Sequence, residues 1–256
     1  MSRRLFLVPR WAGKVDGDFY NELAALASAC NFSLVTLMPK SGLNPPNLEE
    51  CFRMLDEQAK DLTSEDVFMG HSVGNQIILR WLSQLEHGPV SRIKLISVAG
   101  WFGVDKAKQW PSLMPFLEQT DLLVKARQRL RSVHLIISDN DQFTSDWKAN
   151  LAHWNKLFGP NLLSTIVIKG AAHFNRSSEP ELFSRLEFLL KQPKSLFEPL
   201  SVGSHNLVGP IIIFCIFVLF CHFILFCSST IASVWLRSPT ASRMMMEPCQ
   251  TKSMYG

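Results

Sequence analysis

Asp66-Val67-Phe68-Met69-Gly70-His71-Ser72-Val73-Gly74-Asn75 is the stretch on which the reading of this chain turns. It sets Gly-x-Ser-x-Gly between an apolar run suited to a strand and a run with helical spacing, the context in which that motif carries chemistry. A serine used as a nucleophile must sit on a sharp turn at the end of a strand, so that its hydroxyl projects into a crevice. Glycines two residues before and two after it leave room for the turn and for a close helix–strand approach. The helix that follows offers backbone N–H groups and the positive end of its dipole to a developing oxyanion. The bland alternative is a structural turn, and the strand-before, helix-after context weighs against it.

Outward from this turn the chain alternates short apolar runs with amphipathic segments. Strands are expected at 4–8, 32–37, 66–69, 93–99, 133–137 and 164–168. Helices are expected over 18–30, from Asn47, and over 73–85, 145–158 and 179–190. Asn47 with Glu50 three positions on reads as a capping box. Strands alternating with helices imply a parallel sheet of about six strands covered on both faces, and nearly all-apolar strands suit that burial. Residues 101–127 break the rhythm with Trp101, Phe102, Trp110, Pro111, Met114, Pro115 and Phe116. They are too apolar for a solvated loop and read as a core-covering helix pair that also serves as a cap lining a substrate pocket.

A serine hydroxyl needs a base to take its proton. Of seven histidines, His71 lies inside the turn, His134 in a strand, His153 in a helix and His87 just after one, while His205 and His222 fall in the C-terminal tail. His173, in Lys169-Gly-Ala-Ala-His-Phe-Asn175 beyond the sixth strand, is the expected base, and the chain order serine, acid, histidine agrees with that placement. The acid belongs after the preceding strand, where Ser138-Asp139-Asn140-Asp141-Gln142-Phe143 offers two carboxylates. Asp141 is preferred because Phe143 would anchor its loop; Asp139 stays open as the alternative. Its role would be to accept the histidine N–H and hold the tautomer. For the oxyanion, Val73 N–H is the first expected donor. Trp11 or Arg10 N–H, in the loop after the first strand, is the second, since Pro9 has none to give.

Four segments together (Phe-Leu-Val-x-x-Trp-Ala-Gly, Met-Gly-His-Ser-Val-Gly, Ser-Asp-Asn-Asp-Gln-Phe and Gly-Ala-Ala-His-Phe-Asn) resemble the small serine hydrolases of the retinoblastoma-binding-protein-nine type, over residues 4–190. The resemblance implies an α/β-hydrolase fold with little or no cap, no cofactor, and a triad falling on Ser72, Asp141 and His173. It also implies esterase-like cleavage of an ester or amide of a small acyl substrate. One departure is the first loop, Pro9-Arg10-Trp11-Ala12-Gly13, where related hydrolases carry a glycine-rich stretch; here it sets a cation beside the oxyanion region. That departure keeps a second reading open, a hydrolase-fold binding or scaffold protein with weak turnover. No Leu-x-Cys-x-Glu motif is present, because Leu48-Glu-Glu-Cys51 has another spacing.

Composition narrows the field further. A net charge of +4 on 256 residues is no footprint for nucleic acid. Arg3 and Arg4 read as a solvated N-terminal pair. No Cys-x-x-Cys metal or redox spacing occurs among the six cysteines, and the apolar run at 5–8 is too short for a signal peptide, so the first part reads as a reduced, cytosolic domain. The expected organisation is a hydrolase domain over 1–192, a linker over 193–206, and a polar, disordered tail over 228–256. Residues 207–227 hold no formal charge; as a helix they would run about 31 Å, the thickness of a bilayer core, and they read as a transmembrane segment. A membrane-tethered adaptor is the third reading, and a tail foreign to the fold is the alternative to a genuine span. Oligomeric state is left open.

Overall fold

The computed structural model describes residues 3–85, 92–105, 107–118 and 120–192. The expected linker (193–206), transmembrane segment (207–227) and tail (228–256) lie outside the described residues. Within the described residues, no helix is long and apolar enough to cross a membrane.

Six strands form one parallel sheet: β1 (Arg3–Val8), β2 (Phe32–Thr36), β3 (Val67–His71), β4 (Ile93–Val98), β5 (Leu130–Ser138) and β6 (Leu163–Ile168). Their spatial order is β2-β1-β3-β4-β5-β6, so the direction of strand addition reverses between β1 and β3. Parallel sheets open a crevice at such a switch, outside the carboxyl ends of the strands. Val8 pairs with Gly70 and His71 with Val98, which brings the ends of β1, β3 and β4 to one place.

Helices α1 (Tyr20–Ala29), α2 (Leu48–Gln58), α3 (Val73–Gln84), α4 (Met114–Leu117), α5 (Val124–Arg127), α6 (Trp147–Phe158) and α7 (Pro180–Lys191) cover the sheet. The two-residue period of a strand sorts its side chains between faces. Leu5 and Leu7 join the α1 and α7 side chains Leu23, Ala27, Leu182 and Leu186. Phe6 and Val8 join Leu55, Ile77, Leu123 and Trp154 on the other face. Every residue of β3 and β4 is buried, as the apolar runs require, whereas the edge strands β2 and β6 are half-exposed.

The structure revises several local expectations. Asn47 Oδ1 does cap Glu50 N–H at 3.0 Å, but the Glu50 carboxylate reaches Ser41 N–H at 3.1 Å, so the box closes on the preceding loop. The 101–127 segment is no helix pair. It is a chain of single turns, 3₁₀ at Ala107–Gln109, Pro111–Leu113 and Thr120–Leu123 with the one-turn α4 and α5 between and after. Pro111 and Pro115 supply no N–H to a continuing helix and clash with the preceding turn. The Arg3–Arg4 pair is not simply solvated. Arg4 forms a bidentate ion pair with Asp66 (2.7 Å), which precedes β3 rather than opening it; Arg3 stacks on Phe32 and donates to Leu190 O at the end of α7.

Candidate active site

Ser72 follows β3 and caps α3 with φ 54° and ψ −119°. A non-glycine residue holds that conformation at a cost of about 1–3 kcal/mol, so its surroundings must enforce it. They do so from β4 and α3. Ser72 N–H donates to Val98 O (2.9 Å), and Asn75 Nδ2 donates to both Ser72 O (3.1 Å) and Val98 O (3.0 Å). The flanking glycines are required by space. A Cβ on Gly70 would lie 2.5 Å from Asn75 Oδ1, and one on Gly74 would lie 2.1 Å from Val8 O. The second contact presses the start of α3 against the end of β1 and so sets the first loop beside the serine.

His173 and Asp141 meet across two loops. Asp141 Oδ2 lies 2.7 Å from His173 Nδ1, with both residues buried, and Asp141 Oδ1 accepts Phe143 N–H at 2.8 Å. An ionised Asp141 accepts from Nδ1–H and leaves Nε2 as the basic nitrogen. The Phe143 ring stands edge-on to the imidazole, centroids 4.7 Å apart. Just before this pair the loops zip together: Ser138 Oγ accepts Ala171 N–H (3.0 Å), Asp139 Oδ1 accepts Gly170 N–H (2.8 Å) and Asn140 Oδ1 accepts Ala172 N–H (2.8 Å). Asp139, the alternative acid, is thus occupied by the backbone of the histidine loop and not by the imidazole.

Ser72, Val73, Trp11 and His173 line one cavity of about 360 Å³, together with Trp101 and Trp110. Trp101 Nε1 donates to Ser72 Oγ at 3.2 Å, and among the described residues no hydrogen bond joins Ser72 Oγ to His173. In a resting site, catalytic hydrogen bonds are often long or unformed. A larger groove of about 1050 Å³ lies between α2, α3 and α5, away from Ser72 and His173.

The first loop corrects one expectation. Arg10 N–H is not free for an oxyanion, because it donates to Tyr20 Oη at 3.1 Å. The Arg10 guanidinium does not present a bare cation either; Asp18 holds it through two hydrogen bonds of 2.7 and 2.8 Å and raises its pKa. Trp11 N–H and Val73 N–H have no acceptor among the described residues.

Two residues that the sequence reading left out of the site belong to its frame. Tyr20 Oη lies 2.7 Å from His71 Nδ1, and His71 Nε2 lies 2.9 Å from His173 O. Burial, and then the neighbouring His173, hold the His71 pKa well below its ordinary value, so this histidine is neutral. Neutral His71 has one proton to give, and the His173 carbonyl can only accept. Nε2 therefore carries it, and Tyr20 O–H donates to Nδ1. The scarcity of tyrosine, two in the chain, was the one sequence signal available for Tyr20.

A six-stranded parallel sheet with a serine on a strained strand–helix turn at the switch point, and a buried Asp–His pair on the loops beyond β5 and β6, defines an α/β-hydrolase. The serine hydrolase family matches residues 6–192, and the chain belongs to that family. Solved structures agree on the fold. The ydeN gene product of B. subtilis is 16% identical with a TM-score of 0.61, covering 75% of this chain and 100% of its own. Alpha/beta hydrolase domain-containing protein 10 from mouse is 13% identical with a TM-score of 0.52, covering 73% and 87%. Est1E from Butyrivibrio proteoclasticus is 12% identical with a TM-score of 0.52, covering 74% and 86%. No curated protein matches the sequence.

Proposed function

We propose that the protein hydrolyses an ester or amide of a small acyl substrate through an acyl-Ser72 intermediate. The observation that carries this reading is the 2.7 Å contact of Asp141 with His173 Nδ1, in a residue that lines the same cavity as Ser72. His173 Nε2 takes the Ser72 proton, Oγ bonds to the carbonyl carbon, and the oxyanion is held by Val73 N–H and Trp11 N–H. On collapse the leaving group departs with the proton from His173. Water then repeats the sequence against the acyl-enzyme. No step calls for a cofactor.

A cavity of about 360 Å³ walled by indoles suits a short or medium apolar acyl group. The binding-protein reading rested on Pro9 and Arg10; Arg10 lines the same cavity, but its guanidinium is paired with Asp18 at 2.7 Å, which offsets its charge there. The test is labelling by a fluorophosphonate probe. Wild type should label, and Ser72→Ala should not; equal labelling of both would remove Ser72 from the reaction.

A further inference from the structure

Trp101 follows β4 and is 2% exposed. Its backbone is held on several sides. Gln76 Nε2 on α3 donates to Trp101 O. The preceding Gly100 O accepts from Asn150 Nδ2 (2.8 Å) and Trp154 Nε1 (3.2 Å), and the following Phe102 N–H donates to Asn150 Oδ1 (3.1 Å). With that backbone fixed and the side chain packed into the core, the ring has little room to swing away. Its Nε1–H points at Ser72 Oγ from 3.2 Å, and among the described residues this is the one side-chain hydrogen bond that Oγ receives.

An indole N–H donates and never accepts, and it does not titrate in the physiological range. It cannot compete with His173 for the serine proton. It occupies one lone pair of Oγ and leaves the hydroxyl proton and the second lone pair for the reaction.

We propose that Trp101 is a catalytic residue whose indole N–H stabilises negative charge on Ser72 Oγ, both as that oxygen attacks and as it departs. This rests on the reading of Ser72 as nucleophile. In acylation the Oγ proton passes to His173 Nε2 while the Oγ–C bond forms and the carbonyl electrons move to the oxyanion. In deacylation a water proton passes to His173 as the water oxygen bonds to the acyl carbon. The new tetrahedral intermediate then breaks its C–Oγ bond, releasing the carboxylic acid, and Oγ leaves with the electron pair and takes the proton from His173. The indole proton stays on nitrogen throughout. A neutral donor gains most when its acceptor becomes charged in a dry site, so the interaction is stronger in the transition states than in the resting enzyme. The donors at Val73 and Trp11 serve the carbonyl oxygen; Trp101 serves the other reacting oxygen.

The test replaces Trp101 in the full-length chain by 3-benzothienylalanine, which keeps the ring shape and substitutes sulfur for N–H. Pre-steady-state hydrolysis of p-nitrophenyl acetate separates acylation from deacylation. Both rate constants should fall about ten- to a hundredfold, with KM for acylation within about twofold and Tm unchanged. Fluorinated tryptophan at 101, with a more acidic N–H, should restore or exceed the wild-type rates. Unchanged rates in the benzothienyl protein, or a change confined to KM, would overturn the role while Ser72→Ala still abolished labelling. If Ser72→Ala kept its labelling, the nucleophile assignment itself would fall. Should the benzothienyl protein melt early, the fluorinated series decides: rates indifferent to N–H acidity would overturn the proposal.

Discussion

His71 Nε2 donates to the carbonyl oxygen of His173 across 2.9 Å, tying the residue before Ser72 to one 102 positions away. With Tyr20 O–H on His71 Nδ1 and Arg10 N–H on Tyr20 Oη, the hydrogen bonds run in one direction from the first loop to the histidine loop. Each member is satisfied only if the others keep their places. The chain thus sets the backbone of His173 and the loop that presents Trp11 against the same buried frame.

Tyr20→Phe removes the link that serves both neighbours. Arg10 N–H and His71 Nδ1 lose their partner, which should cost roughly 1–3 kcal/mol of stability. Misplacing the first loop and His173 should lower kcat/KM about tenfold, beyond what stability alone would produce at low temperature. Denaturant titration and ester kinetics on the same preparation check this; wild-type kinetics would show that the chain serves folding alone.

His71 also makes stability depend on pH. Its folded pKa is depressed below 6.5, first by burial, so between that depressed value and 6.5 the unfolded chain binds a proton that the native state refuses. Stability contributed by neutral His71 is present above 6.5 and declines as pH falls. His71→Gln can still donate to His173 O and accept from Tyr20 without titrating. Its urea midpoint should therefore fall less than that of wild type between pH 7 and 5, and parallel curves would refute the assignment.

The two aspartates should separate cleanly. Asp141→Asn presents His173 with an amide and favours the wrong tautomer, with an expected loss of about 10⁴ in kcat. Asp139→Asn keeps an oxygen for Gly170 N–H and should stay within about threefold of wild type. Steady-state kinetics on purified variants decide it, and a reversed order would move the orienting role to Asp139.

Lys94 on β4 is buried with its Nζ on Leu189 O at 2.9 Å. Burial, reinforced by Arg131 and Arg3, pulls its pKa down from 10.5 to about 8. Between those values the unfolded chain holds the proton more firmly, so stability should rise with pH from about 8 to 10.5 on this residue's account. Lys94→Met should lack that rise, measured as the difference between the two denaturation curves at pH 7.5 and 10.

The uncharged run 207–227 has the length of a bilayer span. Full-length protein is expected in the membrane pellet after carbonate extraction, and a chain ended at Gln192 in the supernatant with its fluorophosphonate reactivity intact. Release of the full-length protein by carbonate would end the anchor reading.

Much of this molecule is written locally. The strand–turn–helix around Ser72 could be read because a parallel-sheet strand is a short apolar run, and because Gly70 and Gly74 mark where a Cβ would strike Asn75 and Val8. Alternation of strands and helices implied a six-stranded parallel sheet for the same reason: burial on two faces leaves a signature within a few residues. That Ser72, Asp141 and His173 fall on turns and loops just beyond strands needed only the sequence. The helix form expected over 101–127 was misjudged because apolar content reports burial and not helix, and its two prolines decided the local form; its place in the wall of the Ser72 cavity, through Trp101 and Trp110, was read correctly.

What the sequence could not carry are relationships between residues far apart in the chain. From the sequence only the position of Phe143 spoke for Asp141; which carboxylate faces the imidazole is decided by the packing of the loops beyond β5 and β6, which sets Asp141 on His173 Nδ1 at 2.7 Å and gives Asp139 to Gly170 N–H. Arg10 looks like a bare cation until Asp18 closes on it, and Tyr20 like a core aromatic until His71 meets its hydroxyl. Trp101 is one tryptophan among seven until the end of β4 delivers its N–H to Ser72 Oγ. Local spacing determines which residues lie on a turn, a strand or a helix face. Which donors and acceptors then meet depends on how the sheet aligns the ends of its strands, and that alignment is a property of the packed whole.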